Sequence, residues 1–121
     1  MPALVYVVDD ETVIASTLAA ILKASGFEAK AFFNPLQALA AAEADRPDIL
    51  ISDVAMPEMS GIELGIQFKA TYPNCRILLF SGQASTSDQL EKARSEGHDF
   101  QLLTKPVHPT DLLKAIQNRS N

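Results

Sequence analysis

Apolar residues fall along this chain in two alternating patterns, short unbroken runs and longer stretches where they return every third or fourth position. The runs within Leu4–Val8, Ile49–Asp53 and Arg76–Phe80 are bounded by turn formers, and such runs predict strands buried on both faces, as in a parallel sheet. Between them, Ile14, Leu18, Ile21 and Leu22 recur at helical spacing and stop at Gly26, which suits the left-handed position after a helix. Asp10 is placed to cap that helix. Phe27–Phe33 reads as a second, more polar strand at a sheet edge, and Asn34-Pro35 opens the next helix with a capping residue and a first-turn proline. That alanine-rich helix ends near Asp45-Arg46-Pro47.

The second half repeats the alternation. After the loop Ala55–Met59, Ser60 followed by Glu63 is a capping box that starts a helix carrying Leu64 and Phe68 toward the sheet as far as Tyr72-Pro73. Ser81-Gly82-Gln83 ends the fourth strand, and small residues there let a ligand approach the backbone. Ser85–Glu96 predicts a polar helix with a thin apolar side, Leu90 and Ala93. Phe100–Leu103 predicts a fifth strand closing at Thr104-Lys105-Pro106, and His108-Pro109 opens a last helix with Leu112, Leu113 and Ile116 inward. No repeat, linker or low-complexity stretch interrupts the pattern.

Strands alternating with helices of this length require a parallel sheet with right-handed crossovers and helices on both faces. The expected fold is therefore α/β, a flavodoxin-like doubly wound sheet of strand order 2-1-3-4-5, in which the first and third strands meet at the switch point. Ligands of such sheets bind outside the carboxyl ends of the strands. Those ends carry Asp9 and Asp10, Asp53, Ser81 and Lys105 in turn.

Composition narrows the class. The 121 residues suffice for one domain with a core, and 47% hydrophobic content excludes a disordered tail. No apolar run approaches the roughly 20 residues of a membrane-spanning helix, and no basic segment precedes an apolar one near the start, so no membrane partner is expected and the expected location is the cytoplasm. The net charge of −5 and the lack of a basic stripe argue against nucleic-acid binding by this chain. Cys75 is the single cysteine, with nothing nearby to activate it, and reads as a quiet buried thiol.

Each strand-end residue has a duller reading taken singly. Asp9 and Asp10 could be helix caps, Asp53 a turn residue, Ser81 a strand terminus and Lys105 a surface lysine. Their coincidence on one sheet edge defeats those readings. Clustered carboxylates repel one another unless a hard cation neutralises them, and all-oxygen ligation with retained waters suits Mg²⁺. A lysine and a hydroxyl opposite them make a pocket for a dianionic tetrahedral group, and a nucleophilic Asp53 would then form an aspartyl phosphate. His98 and His108 have no comparable argument and read as solvated or capping.

The pattern resembles the receiver domain of two-component response regulators over essentially the whole chain, residues 1–121. The resemblance rests on Val8-Asp9-Asp10-Glu11, on Ser52-Asp53-Val54-Ala55-Met56-Pro57 with Ser60-Gly61, on Phe80-Ser81-Gly82, and on Thr104-Lys105-Pro106. It implies a phosphoacceptor switch rather than an enzyme acting on other molecules, with Asp53 the acceptor. Asp10 would bind Mg²⁺ directly and Asp9 through water, with Asp53 and the Ala55 carbonyl completing the protein's share; Mn²⁺ can substitute. Ser81 and Lys105 would contact the phosphoryl group, Ala55 and Gln83 would govern the approach of hydrolytic water, and the Lys105-Pro106 bond would be cis. The implied donor is a histidine kinase or phosphotransfer protein. The implied output surface is the fourth helix, fifth strand and fifth helix, as a monomer or a phosphorylation-dependent homodimer.

The chain departs from the family where an aromatic normally stands three residues before the site lysine, because Leu102 holds that place. Gly97–Lys105 is also one residue longer than usual. Phe100 and Leu102 share strand parity, so both are expected on the output surface, with a bulge as a way of carrying Phe100 toward Ser81 and into the switch role. Two rival classes fit the residues less well. A metal-dependent aspartyl phosphatase needs a second acid where Ala55 stands, and a flavodoxin-like binding module has no need of Asp9, Asp10, Asp53 and Lys105 together.

Overall fold

The computed structural model describes residues 3–82, 86–97, 100–105 and 107–117, the side chains of 86–90 excepted. Five strands, β1 (Leu4–Val8), β2 (Glu28–Phe32), β3 (Ile49–Asp53), β4 (Arg76–Ser81) and β5 (Gln101–Thr104), form one parallel sheet in the order β2-β1-β3-β4-β5. The helices α1 (Thr12–Ala24), α2 (Pro35–Ala44), α3 (Gly61–Thr71), α4 (Thr86–Ser95) and α5 (Pro109–Gln117) alternate with them. This is the flavodoxin-like architecture expected from the alternation, with β2 at an edge.

Every residue of β1 and β3 is buried, which explains why their sequence shows an apolar run instead of alternation. The two faces of the sheet still divide the residues by parity. Tyr6, Val8, Leu50, Ile77 and Leu79 join Ala38, Leu64 and Phe68 in one core. Val5, Val7, Ile51, Leu78 and Phe80 join Leu18, Leu22, Leu112 and Ile116 in the other. Burying both layers fixes the strands' register, and with it the places where their carboxyl ends stop.

Local signals set most helix boundaries. The Asn34 side chain accepts from the Leu36 N–H at 2.7 Å ahead of Pro35. Ser60 Oγ accepts from the Glu63 N–H at 3.1 Å, and Gly26 adopts φ 97° after α1. The His108 carbonyl accepts from the Leu112 N–H at 3.0 Å at the start of α5.

Asp10 does not cap α1. The N-cap is Glu11, whose side chain makes no capping hydrogen bond, and it is the Asp9 carboxylate that turns back to accept from the Glu11 N–H at 2.9 Å. The chain thus stays extended one residue further than an Asp10 cap requires, and Asp10 is left exposed.

The end of the sheet differs too. β5 begins at Gln101, and its residues pair one to one with β4 from Leu78↔Gln101 to Ser81↔Thr104, so the paired residues contain no bulge. Phe100 is buried in the core beneath α3 rather than displayed on an output surface. A methyl group on Gly65 would stand 2.9 Å from Ile77 Cγ2 and 3.2 Å from Phe100 Cε2, which shows how closely the ring is held at the amino end of β5, away from Ser81. Leu102, of the same parity, is 41% exposed. Leu90, Gln83, His98 and the Lys105-Pro106 bond fall outside the described residues and side chains, whereas Ala93 is buried as expected.

Candidate functional site

The parallel register brings the carboxyl ends of β1, β3, β4 and β5 to one edge of the sheet. Val8 pairs with Ser52, Asp53 with Phe80, and Ser81 with Thr104. Ligand oxygens of Asp9, Asp10 and Asp53 all lie within 4.8 Å of one another. Asp9 is fully buried and Asp53 nearly so, while Asp10 faces solvent. All three acids expected from the sequence are therefore together.

Lys105 closes the group from the other side. Its Nζ lies 3.3 Å from Asp53 Oδ2, 3.6 Å from Asp9 Oδ2 and 3.5 Å from Glu11 Oε1. The Lys105 N–H also donates to the Ser81 carbonyl at 3.0 Å, which ties the end of β5 to the end of β4. Ser81 is buried beside this joint. Nζ stands 5.2 Å from the centre of the Phe80 ring, and Phe80 and Lys105 together border an apolar cavity of about 430 Å³ between α1 and Val107. The ammonium thus sits between an apolar wall and a row of carboxylates.

That setting shifts the charged groups. Burial pushes the Asp9 carboxyl up to about 6 from its ordinary 3.8, and the Asp53 charge adds to this while the Glu11 N–H and Lys105 oppose it. Asp53 is raised as well, because burial outweighs the lowering by Lys105 and by the Ala55 N–H. For Lys105, burial pulls downward but is exceeded by the attraction of Asp53, Asp9 and Glu11, so the ammonium is held above its usual range. Burial also raises the Cys75 thiol to about 11, which agrees with an inert sulfhydryl.

Whether these residues suit a cation is tested by Asp9 Oδ2. It is buried and has no hydrogen-bond donor, and Lys105 reaches it only at ion-pair distance. An acceptor left in that state is costly, and a divalent ion among three carboxylates removes the cost. The donor set is all oxygen and fits a hard ion.

Three contributors stand in the quoted motifs but had no role assigned from the sequence. Gly61 is one: a Cβ there would fall 2.1 Å from the Asp53 carbonyl oxygen, and its N–H donates to the Val54 carbonyl at 2.8 Å. The α3 entrance is therefore pressed against the backbone that presents Asp53, and the Ser60-Gly61 pair in the motif was its signal. Glu11 and Phe80 are the others, both neighbours of Lys105 and both adjacent in sequence to a residue already singled out. Ala55 is exposed directly after the Asp53 strand, and its N–H faces the Asp53 carboxylate.

The model of the response regulator receiver domain family matches residues 5–117. The probable transcriptional regulatory protein TcrX of Mycobacterium tuberculosis is 31% identical over 122 residues, spanning 98% of this chain and 51% of that protein. The transcriptional regulatory protein CreB of Escherichia coli is 31% identical over 113 residues, spanning 93% of this chain and 48% of that one. The chain thus spans about half the length of these curated relatives. Among solved structures, the chemotaxis protein CheY4 of Vibrio cholerae superposes with a TM-score of 0.86 at 31% identity, covering 97% of this chain and 98% of that one.

Proposed function

This chain belongs to the response-regulator receiver domain family of two-component signalling, and on that footing we propose that it is a phosphoacceptor switch whose acceptor is Asp53. A carboxylate oxygen of Asp53 attacks the phosphorus of a phosphohistidine on a histidine kinase or phosphotransfer protein. The new O–P bond replaces the N–P bond, the electron pair of that bond leaves with the imidazole, and the product is an aspartyl phosphate. Asp9, Asp10 and Asp53, with the Ala55 carbonyl, would hold a Mg²⁺ or Mn²⁺ ion that neutralises charge on the phosphoryl oxygens. Lys105 moves its ion pair from Asp53 to a phosphoryl oxygen, and the Ser81 hydroxyl donates to another.

The single observation that carries this reading is the buried, donorless Asp9 Oδ2 within a three-carboxylate cluster that Lys105 faces. Such a set is costly to fold and is explained by a cation and an anion that share it. The output surface we propose is the face of α4, β5 and α5, through which the chain would act on protein partners as a monomer or a phosphorylation-dependent homodimer. Among the described residues no helix is long and apolar enough to cross a membrane, which fits cytoplasmic work beside a kinase. Phosphotransfer profiling against the kinases of the source organism tests the proposal. One kinase should label the chain much faster than the rest and should fail on Asp53→Asn; equal labelling of that variant would overturn it.

A further inference from the structure

Glu11 occupies the N-cap of α1, a position where short polar side chains normally bond the first-turn N–H groups. Its own side chain makes no such bond and lies instead with Oε1 3.5 Å from Lys105 Nζ. Unlike Asp9 and Asp53, which are buried, Glu11 has 63% of its side chain exposed. It is the member of the lysine's carboxylate ring that faces solvent.

The charges of the site make that position matter. A divalent cation held by the three clustered carboxylates would, together with Lys105, balance their charge, which leaves Glu11 as the surplus negative charge. A dianion arriving from solution meets this surplus before it reaches Lys105, which must release a carboxylate to receive it. We propose that Glu11 is a charge gate on the anion site: it weakens binding of small dianions at Lys105 and biases the site against phosphoryl donors free in solution. A donor carried by a protein is held by its own docking contacts and bears less of this penalty. The inference rests on the phosphoacceptor reading of Asp53 and adds a residue that sets donor specificity through Lys105.

One unbalanced charge near a partly wet site changes dianion affinity by about threefold to tenfold, less for a monoanion and less again as salt rises. The test compares the parent with Glu11→Gln and Glu11→Asp in Mg²⁺ buffer at about pH 7, using acetyl phosphate as dianionic donor and phosphoramidate as monoanionic donor. Glu11→Gln should lower the half-saturating acetyl phosphate concentration about threefold to tenfold and leave the saturated rate within about twofold. Phosphoramidate should respond less, about 1 M salt should erase the difference, and Glu11→Asp should behave as the parent. Identical saturation curves for parent and Glu11→Gln would overturn the gate. So would a fall in saturated rate at unchanged half-saturation, which is the signature of a residue that only orients Lys105. Inorganic phosphate titrated into both proteins, followed by NMR at Gly82 and Lys105, separates this result from the acceptor assignment. If the parent takes no phosphoryl group, the acceptor reading fails, whereas tighter phosphate binding by Glu11→Gln still supports the gate and equal binding still refutes it.

Discussion

Asp9 Oδ2 and Lys105 Nζ stand 3.6 Å apart, and the carboxylate oxygen, fully buried, has no hydrogen-bond donor. The ion pair therefore only partly offsets the cost of burying Asp9, which is why its carboxyl is raised to about 6. Between about pH 4 and about pH 6 the native state keeps a proton that the unfolded chain has lost, so this group lowers stability as pH rises through that window. The raised Lys105 acts only at alkaline pH and leaves the window untouched. Asp9→Asn should therefore match the cation-free parent near pH 4 and exceed it by about 1–2 kcal/mol above pH 6. Urea unfolding of both proteins across the range measures this; a parent-to-variant difference independent of pH would contradict it.

Exposed Asp10 gives the opposite signature. Asp10→Ala should change cation-free stability by less than about 0.5 kcal/mol yet weaken Mg²⁺ binding by about tenfold or more, and more than Asp9→Ala does. Calorimetric Mg²⁺ titrations of the two variants decide the order. Weaker binding by Asp9→Ala would make the buried acid the principal ligand.

Gly61 and Gly82 both flank the site, but the space around them differs. A Cβ at 61 collides with the Asp53 carbonyl oxygen at 2.1 Å, whereas one at 82 meets Lys105 Cβ at an ordinary 3.6 Å. Gly61→Ala should cost about 2–4 kcal/mol and slow phosphorylation by moving Asp53, while Gly82→Ala should cost under about 1 kcal/mol. Chemical denaturation of both checks the contrast, and a tolerated Gly61→Ala would show that the α3 entrance is free to shift.

Phe100 is covered by α3 while Leu102 is 41% exposed. Phe100→Ala should destabilise by about 3 kcal/mol or more as a core truncation, and Leu102→Ala by less than about 0.5 kcal/mol. Thermal melts of the two suffice. A mild Phe100→Ala would return that ring to the pool of candidate switch residues.

The particular residues show why some features were legible in the sequence and others were not. Leu4–Val8 and Ile49–Asp53 are buried on both faces, so their apolar runs announced the strands, and parallel pairing then forced Asp9, Asp10, Asp53 and Lys105 to one edge. Phe100 and Leu102 share parity, and parity cannot say which of two same-face residues a helix covers; α3 decides it through Gly65. The Asp10 cap failed because capping preference is local, whereas Asp9 is claimed by the turn to Glu11. The contact between Glu11 and Lys105 spans most of the chain, and no local pattern encodes it.

The most direct test of the central claim is to treat the protein with acetyl phosphate and Mg²⁺, reduce the acyl phosphate chemically, and locate the altered residue by peptide mass spectrometry. The account predicts one phosphoryl group, on Asp53, with none acquired when Mg²⁺ is chelated or Asp53 is replaced by Asn. A phosphoryl group mapped to Asp9, Asp10 or any other residue of the parent, or labelling that survives chelation, would contradict it.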